Sequence, residues 1–353
     1  MALDLSILYR GPLASCNYEC HYCPFAKRQD SREQLADDRR RLERFVDWAA
    51  SRQNDRIGLL FTPWGEALIR SWYQAAFVRL SHAANVRKVA IQTNLSCRLN
   101  WLEQCDLDRV ALWCTYHPSQ IKRARFLNQC RQLDRIGVRY SVGMVGLRED
   151  LEEIEATRRA LRQGVYLWVN AYKRDNPYYT SDELQRLSAV DPLFPVNNQR
   201  HPSMGRRCRT GSTVISIDGD GNVARCHFIK RSLGNIYATD IEDLLRDEPC
   251  TNETCGCHIG YVHMDELRLY EVFGEGVLER IPAQPVWSMT SGPVAETHAL
   301  PARGVVAGDS GLNNRVVVVG VIETGRPRDR LTAGRRCGWN ANQVLPARRR
   351  AGH

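Results

Sequence analysis

Three thiols fall within ten residues of the chain, in Ser15-Cys16-Asn17-Tyr18-Glu19-Cys20-His21-Tyr22-Cys23-Pro24. Thiolates are the ligands of iron-sulfur clusters and of structural zinc. A loop this short can fold Cys16, Cys20 and Cys23 around one inorganic cluster. The alternative is a zinc knuckle, which needs a fourth ligand, and the nearest, His21, is wedged between two of the cysteines. A second group follows much later: Cys208, Cys226, Cys250, Cys255 and Cys257. Four thiolates from it suit a cluster or a structural zinc ribbon equally well. Asp218-Gly219-Asp220-Gly221 lacks the remaining ligands and terminal Glu of a calcium loop and reads as a turn.

Both groups need a frame. Apolar, β-branched runs at Leu5 to Tyr9, Ile57 to Thr62, Lys88 to Thr93, Arg109 to Thr115, Arg139 to Met144 and Tyr166 to Asn170 read as strands. Between them, Ser31 to Ser51, Glu66 to His82, Ser119 to Arg135, Asp150 to Gln163 and Ser181 to Val190 have helical period. Repeated β-then-α units imply right-handed crossovers and a parallel α/β sheet, closed towards a barrel or open and doubly wound. In either case reactive residues belong at the strands' C-terminal ends. From about residue 200 the rhythm changes: Thr213 to Ile217 and Asn222 to His227 flank the Gly-containing turn as a hairpin, and Ile241 to Asp247 reads as a helix.

The net charge of +9 is unevenly placed, since residues 283–353 hold ten Arg and four acidic residues. The remaining +3 over residues 1–282 is a weak basis for nucleic-acid binding. That tail is rich in Pro, Gly and Arg with one strand-like run, Val316 to Val321, and reads as largely disordered. No secretory leader or membrane-length apolar run stands out, so the expected location is the cytoplasm, with no membrane partner. Thirteen cysteines in that compartment are not a disulfide framework. Cys97, Cys105, Cys114 and Cys130, each alone in a helix-like or strand-like segment, read as small buried apolar residues. Tyr116, His117, Asn170 and Tyr172 follow or end strands and suit either a substrate mouth or a structural position.

Cys-x3-Cys-x2-Cys with an aromatic, Tyr22, before the last Cys resembles the signature of the radical S-adenosylmethionine (SAM) superfamily. Further motifs fall in that family's order. Thr62-Pro63-Trp64-Gly65-Glu66 resembles its Gly-Gly-Glu motif, with Trp64 in place of the first Gly, and implies that Gly65 and Glu66 meet the methionine amino group of SAM. Gln92-Thr93-Asn94 and Thr115 resemble segments that approach the ribose or carboxylate. Val142-x-Met144-x-Gly146-x-x-Glu149 resembles the fifth-strand motif whose backbone supports the adenine, with its first Gly and its Ile replaced. Over residues 4–175 the resemblance implies a partial (β/α)6 TIM-like barrel. It also implies a SAM-bound 4Fe-4S cluster on Cys16, Cys20 and Cys23, whose electron cleaves SAM to methionine and a 5'-deoxyadenosyl radical that abstracts a substrate hydrogen. No residue is singled out as a catalytic base.

The spacing Cys208-x12-Gly221-x4-Cys226, followed by Cys250-x4-Cys255-x-Cys257, resembles the SPASM and twitch extensions that bind auxiliary 4Fe-4S clusters. Five cysteines fit one cluster, as in a twitch, with Cys208, Cys226, Cys255 and Cys257 as ligands and Cys250 as an alternative. The expected domains are therefore a radical SAM core at 1–200, a hairpin-plus-helix iron-sulfur module at 201–282 and the tail at 283–353. The resemblance implies a peptide or protein side chain as substrate and an electron donor such as flavodoxin or ferredoxin as partner. The alternatives are a radical SAM enzyme acting on a small molecule or RNA, and a zinc-binding interaction protein with no turnover.

Overall fold

A computed structural model describes residues 2–25, 29–174 and 177–285; the expectation for the tail from 286 onward, Val316 to Val321 included, lies outside the described residues. Six strands alternate with helices from the start of the chain. They are β1 (Asp4–Arg10), β2 (Arg56–Phe61), β3 (Val86–Thr93), β4 (Val110–Thr115), β5 (Arg139–Gly146) and β6 (Leu167–Ala171), joined through α1 (Arg32–Ser51), α2 (Ser71–Ser81), α3 (Arg123–Ile136) and α4 (Leu151–Ala160), with α5 (Ser181–Val190) after β6. All six are parallel and lie in sequence order. An order that never reverses lacks the switch point of a doubly wound sheet and is the order of a barrel wall. β6 pairs only with β5 among the described strands, so the wall is a partial barrel.

The helix starts follow local chemistry. Ser31 caps α1 and Thr180 caps α5, each in a reciprocal capping box, with Gln34 and Glu183 respectively. α2 begins at Ser71 rather than at Glu66, because residues 66–70 turn around the Glu66 carboxylate, which takes the Leu68 amide.

After β7 (His201–Pro202) come β8 (Val214–Asp218) and β9 (Asn222–Ala224), the expected hairpin. It is continuous with the barrel wall: β8 adds in parallel to the free edge of β1, and β10 (Ser232–Asn235) pairs with β9 to complete nine strands. The strand expected to run to His227 stops at Ala224, where the chain turns at Cys226. Ile241 to Asp247 is not an α-helix but a single 3-10 turn, Ile241–Leu244. β11 (Thr254–Cys255) pairs with β7. No described helix is long and apolar enough to cross a membrane.

Alternation along each strand divides the core in two. Ile7, Leu59, Val89, Leu112, Val142 and Val169 meet the helices. Leu8, Leu60, Ala90, Trp113 and Trp168 face inward, where Ile259, Tyr261, Met264, Phe273 and Leu278 fill the lower barrel. Gly143 is required on that inner face, since a methyl there would stand 2.0 Å from the Trp168 ring. The filling segment ends in two buried charges. Glu279 lies 3.3 Å from Lys88 and 3.2 Å from Arg139, and the Arg280 guanidinium lies 4.3 Å from the Trp168 ring and 5.5 Å from that of Trp113.

Candidate functional site

The open end is the C-terminal end of the strands. Two residues beyond the apolar inner ring, on the same face, stand Arg10, Thr62, Gln92, Thr115 and Asn170. Asn170 is exposed although it is paired with Val145 within the β5–β6 ladder, as a side chain facing an open mouth must be.

The cysteine loop rises from β1. Asp30 braces its start, accepting from the amides of Ala14 and Ser15 and from the Ser15 hydroxyl at 2.8 Å each. Gly65 lies against the loop so closely that a methyl group there would stand 1.8 Å from the Ser15 carbonyl oxygen, and the Glu66 amide donates to that oxygen at 3.0 Å. The loop then turns, the Cys23 amide donating to the Cys20 carbonyl. Cys20 is buried, while Cys16 and Cys23 are half-buried. Burial pushes the Cys16 thiol up to about 11, with Glu66 and the other two thiols adding to it. Burial also raises Cys20, with Cys23 adding. Thiols held protonated together in this way lose their protons when a cation is bound among them.

Asn94 ties the end of β3 to the loop: its Nδ2 lies 3.8 Å from Cys16 Sγ and donates to Asn17 Oδ1 at 3.0 Å. Tyr22 is buried among Cys20 and Leu147, and its hydroxyl meets His117 Nδ1 at 2.7 Å. Burial lowers His117 to about 4, so it is neutral near pH 7.

Two residues that the resemblance sets near SAM have their side chains engaged elsewhere, which leaves the expected backbone contribution of Met144 as it was. Glu66 is buried, and its oxygens already accept from Thr93 Oγ1 and the amides of Asn94 and Leu68. It fixes the end of β3 to the end of β2. Met144 points away from the mouth into the helix-facing core, fully buried, because it has the wrong parity along β5. Gly146 has the same parity; its carbonyl accepts from the Tyr179 hydroxyl. Gln92 and Thr115 face the mouth. Of the other strand-end residues, Tyr116 stacks on Phe126 and donates to Glu153, a structural position.

The second cysteine group sits beside the same mouth. Cys250 exchanges backbone hydrogen bonds with the 205–206 turn that leads to Cys208. Burial raises Cys226 to about 12, with Cys250 and Cys208 adding to it. Burial raises Cys255 further, with Cys257, Cys226, Cys208 and Cys250 adding to it. Burial raises Cys257 as well; it borders Cys255 and otherwise faces Lys173, Arg10 and Arg280, which offset only part of that rise. Cys257, Cys226, Cys208 and Cys250 thus all act on Cys255, Cys257 most strongly, and Cys257 also faces the cations of the barrel. Among the described residues, no three His, Cys, Asp or Glu side chains are closed around a single ion's position.

Sequence reasoning missed the groups that lock this region in place. Lys173, half-buried, donates to the carbonyls of Asn197, Gly256 at 2.6 Å and Gln199, and desolvation lowers it to about 8. His227 Nε2 meets Thr62 Oγ1 at 2.9 Å, and Arg10 Nε donates to the Thr62 carbonyl at 2.8 Å. The adjacency of His227 to Cys226 was the one available signal; nothing local marks Asp30 or Lys173.

No protein-family model matches the chain, and no curated protein does. Among solved structures, native anSMEcpe with bound AdoMet aligns at 13% identity over 68% of this chain and 80% of that one, with a TM-score of 0.47. A histidine-tagged form of anSMEcpe with bound AdoMet aligns at 13% identity over 74% and 80%, with a TM-score of 0.48. BtrN in complex with AdoMet and 2-DOIA aligns at 14% identity over 69% and 83%, with a TM-score of 0.34. Likeness at these scores carries no functional argument, and the barrel reading rests on the strand order of this chain.

Proposed function

We propose that the protein is a radical SAM enzyme with one auxiliary cluster. One observation carries this reading: the Cys16–Cys23 loop stands over the mouth of a parallel, sequentially ordered barrel wall, with Gly65 pressed against Ser15 and Asn94 reaching Cys16. Cys16, Cys20 and Cys23 would hold a 4Fe-4S cluster, and their donor set of three soft thiolates fits it. Cys208, Cys226, Cys250 and Cys255 would hold the second. When bound with SAM, the first cluster supplies the electron that yields methionine and a 5'-deoxyadenosyl radical, which takes a hydrogen from substrate.

The chain's own residues bind, orient and exclude water. Asp30 and Gly65 set the loop, Glu66 and Asn94 hold the end of β3 against it, and the segment ending in Arg280 closes the lower barrel. Gln92, Thr115 and Asn170 line the space left for SAM and substrate. Tyr22, held by His117, keeps the loop's far side dry. An electron donor such as flavodoxin or ferredoxin supplies the reducing equivalent. A peptide or protein side chain is the proposed substrate, supported by the likeness of the Cys208–Cys257 spacing to twitch extensions; turnover confined to a metabolite would overturn that part.

The test pairs iron and acid-labile sulfide content of anaerobically reconstituted protein with a reductant-dependent assay for 5'-deoxyadenosine. About eight iron per chain, falling to about four in a Cys16, Cys20, Cys23→Ala variant that makes no 5'-deoxyadenosine, is the expected outcome. Zinc without iron would sink the reading and leave a metal-stabilised interaction protein.

A further inference from the structure

A half-open cavity of about 800 Å³ lies on the outer flank of the cysteine loop, between the 95–100 loop and α3. Asn17 and Tyr18, the two residues that follow Cys16, form part of its wall. Asn17 Nδ2 donates to Ser96 Oγ at 3.0 Å, and the Glu19 amide donates to Gln120 Oε1 at 2.9 Å, so both sides of the cavity are tied to the loop. Gln129 holds the opposite wall by donating to the carbonyls of Leu95 and Cys97.

The lining is chemically one-sided. It contains Arg98 and Arg125, several amide and hydroxyl side chains, and no Asp or Glu. Both arginines are exposed, and among the described residues neither has a carboxylate partner. The charge continues around the start of α3, where Lys122 and Arg131 line the adjoining cavity. Of the two carboxylates there, Asp150 and Glu153, the latter is taken by Arg123, and Lys122 and Arg131 have no carboxylate partner among the described residues. Elsewhere the exposed arginines among the described residues are mostly paired, as Arg39 is with Glu43, Arg79 with Asp47 and Arg162 with Asp134. Four unpaired cations on one face therefore form a field that attracts an acidic surface and raises its encounter rate.

We infer that this face is the docking site of an acidic one-electron carrier protein. The inference rests on the proposed function, which requires one electron from outside for each SAM cleaved. A carrier seated on Arg98 and Arg125 lies against Asn17 and Tyr18, one and two residues from Cys16, and does not enter the barrel mouth. The step balances as one electron leaving the carrier's reduced flavin or cluster and one entering the cluster on Cys16, Cys20 and Cys23.

The test is stopped-flow bleaching of the visible cluster absorption in the reconstituted full chain, with photoreduced flavodoxin or reduced methyl viologen as donor. Iron content is measured first, so failure to assemble a cluster counts against the proposed function and not against the docking face. With flavodoxin the wild-type rate should fall steeply between about 50 and about 300 mM salt, as screening predicts. Arg98→Glu with Arg125→Glu should slow the flavodoxin reaction about tenfold or more and leave the cationic viologen reaction unslowed. Equal flavodoxin rates in wild type and variant would overturn the inference, including the case in which the variant has lost affinity only for an acidic peptide. If both donors slow together, the loop itself has been disturbed and Lys122→Glu with Arg131→Glu decides: selective loss of the flavodoxin rate supports the docking face, and no selective loss overturns it.

Discussion

At Gly65 a single hydrogen atom separates a fitted loop from a clash. Gly65→Ala would place a methyl 1.8 Å from the Ser15 carbonyl, so the loop must move or the strand end must give, at a cost of about 1–3 kcal/mol. The expected result is a fold retained by circular dichroism with loss of most of the iron assigned to Cys16, Cys20 and Cys23. The second group makes an equally local prediction. Cys250→Ala should remove about four iron per chain, whereas Cys257→Ala should keep the auxiliary cluster, because backbone hydrogen bonds tie Cys250 to the 205–206 turn that leads to Cys208 while Cys257 faces the cations Lys173 and Arg10. Spacing alone favours Cys255 with Cys257, one residue apart, and only the turn joining Cys250 to residues 205–206 reverses that preference.

At the scale of elements, the segment that fills the lower barrel depends on a buried charge arrangement. Glu279 has no exposed surface and faces Lys88, which is also buried, and Arg139, which is half-exposed. Glu279→Ala would leave Lys88 desolvated without its partner, a loss of about 3–5 kcal/mol. Combining it with Lys88→Met should recover most of that loss, a recovery that urea denaturation can measure. Failure of the second change to restore stability would show that Glu279 acts through packing instead. β1 to β6 and their helices were legible because apolar residues recur at strand and helix period, and because Ser31 and Thr180 carry their own capping partners. The 3-10 turn at Ile241–Leu244 was not legible, since the seven residues of helical pattern from Ile241 to Asp247 do not reveal whether an α-helix will form. Nor could the sequence tell that the Met144 side chain belongs to the helix-facing core until the parity of β5 was known.

Across the whole molecule, regular structure is concentrated in residues 4–190, while β7 and β11 are two residues long and the second cysteine group is held mainly by turns. An auxiliary cluster would supply much of what fixes that region, since a group bound only in the folded state stabilises the fold that presents it. Chelation of iron should therefore speed hydrogen exchange in residues 201–257 while β1 to β6 keep their protection. Equal loss in both regions would mean that the barrel wall depends on the cluster too. The cysteines that announce this chemistry were plain in the sequence, as was the end of the sheet where they sit. The cations that surround them were not, because Arg10, Lys173 and Arg280 are far apart in the chain and acquire their setting only when the barrel is filled.

β1 has β2 on one side and β8 on the other, so the strand that launches the cysteine loop lacks its second neighbour until Asp218 has been made. During translation, more than two hundred residues must leave the ribosome before that strand is flanked on both edges. Metal delivery to Cys16, Cys20 and Cys23 would thereby be set late: assembly machinery that acts before β8 has emerged would meet a half-built edge.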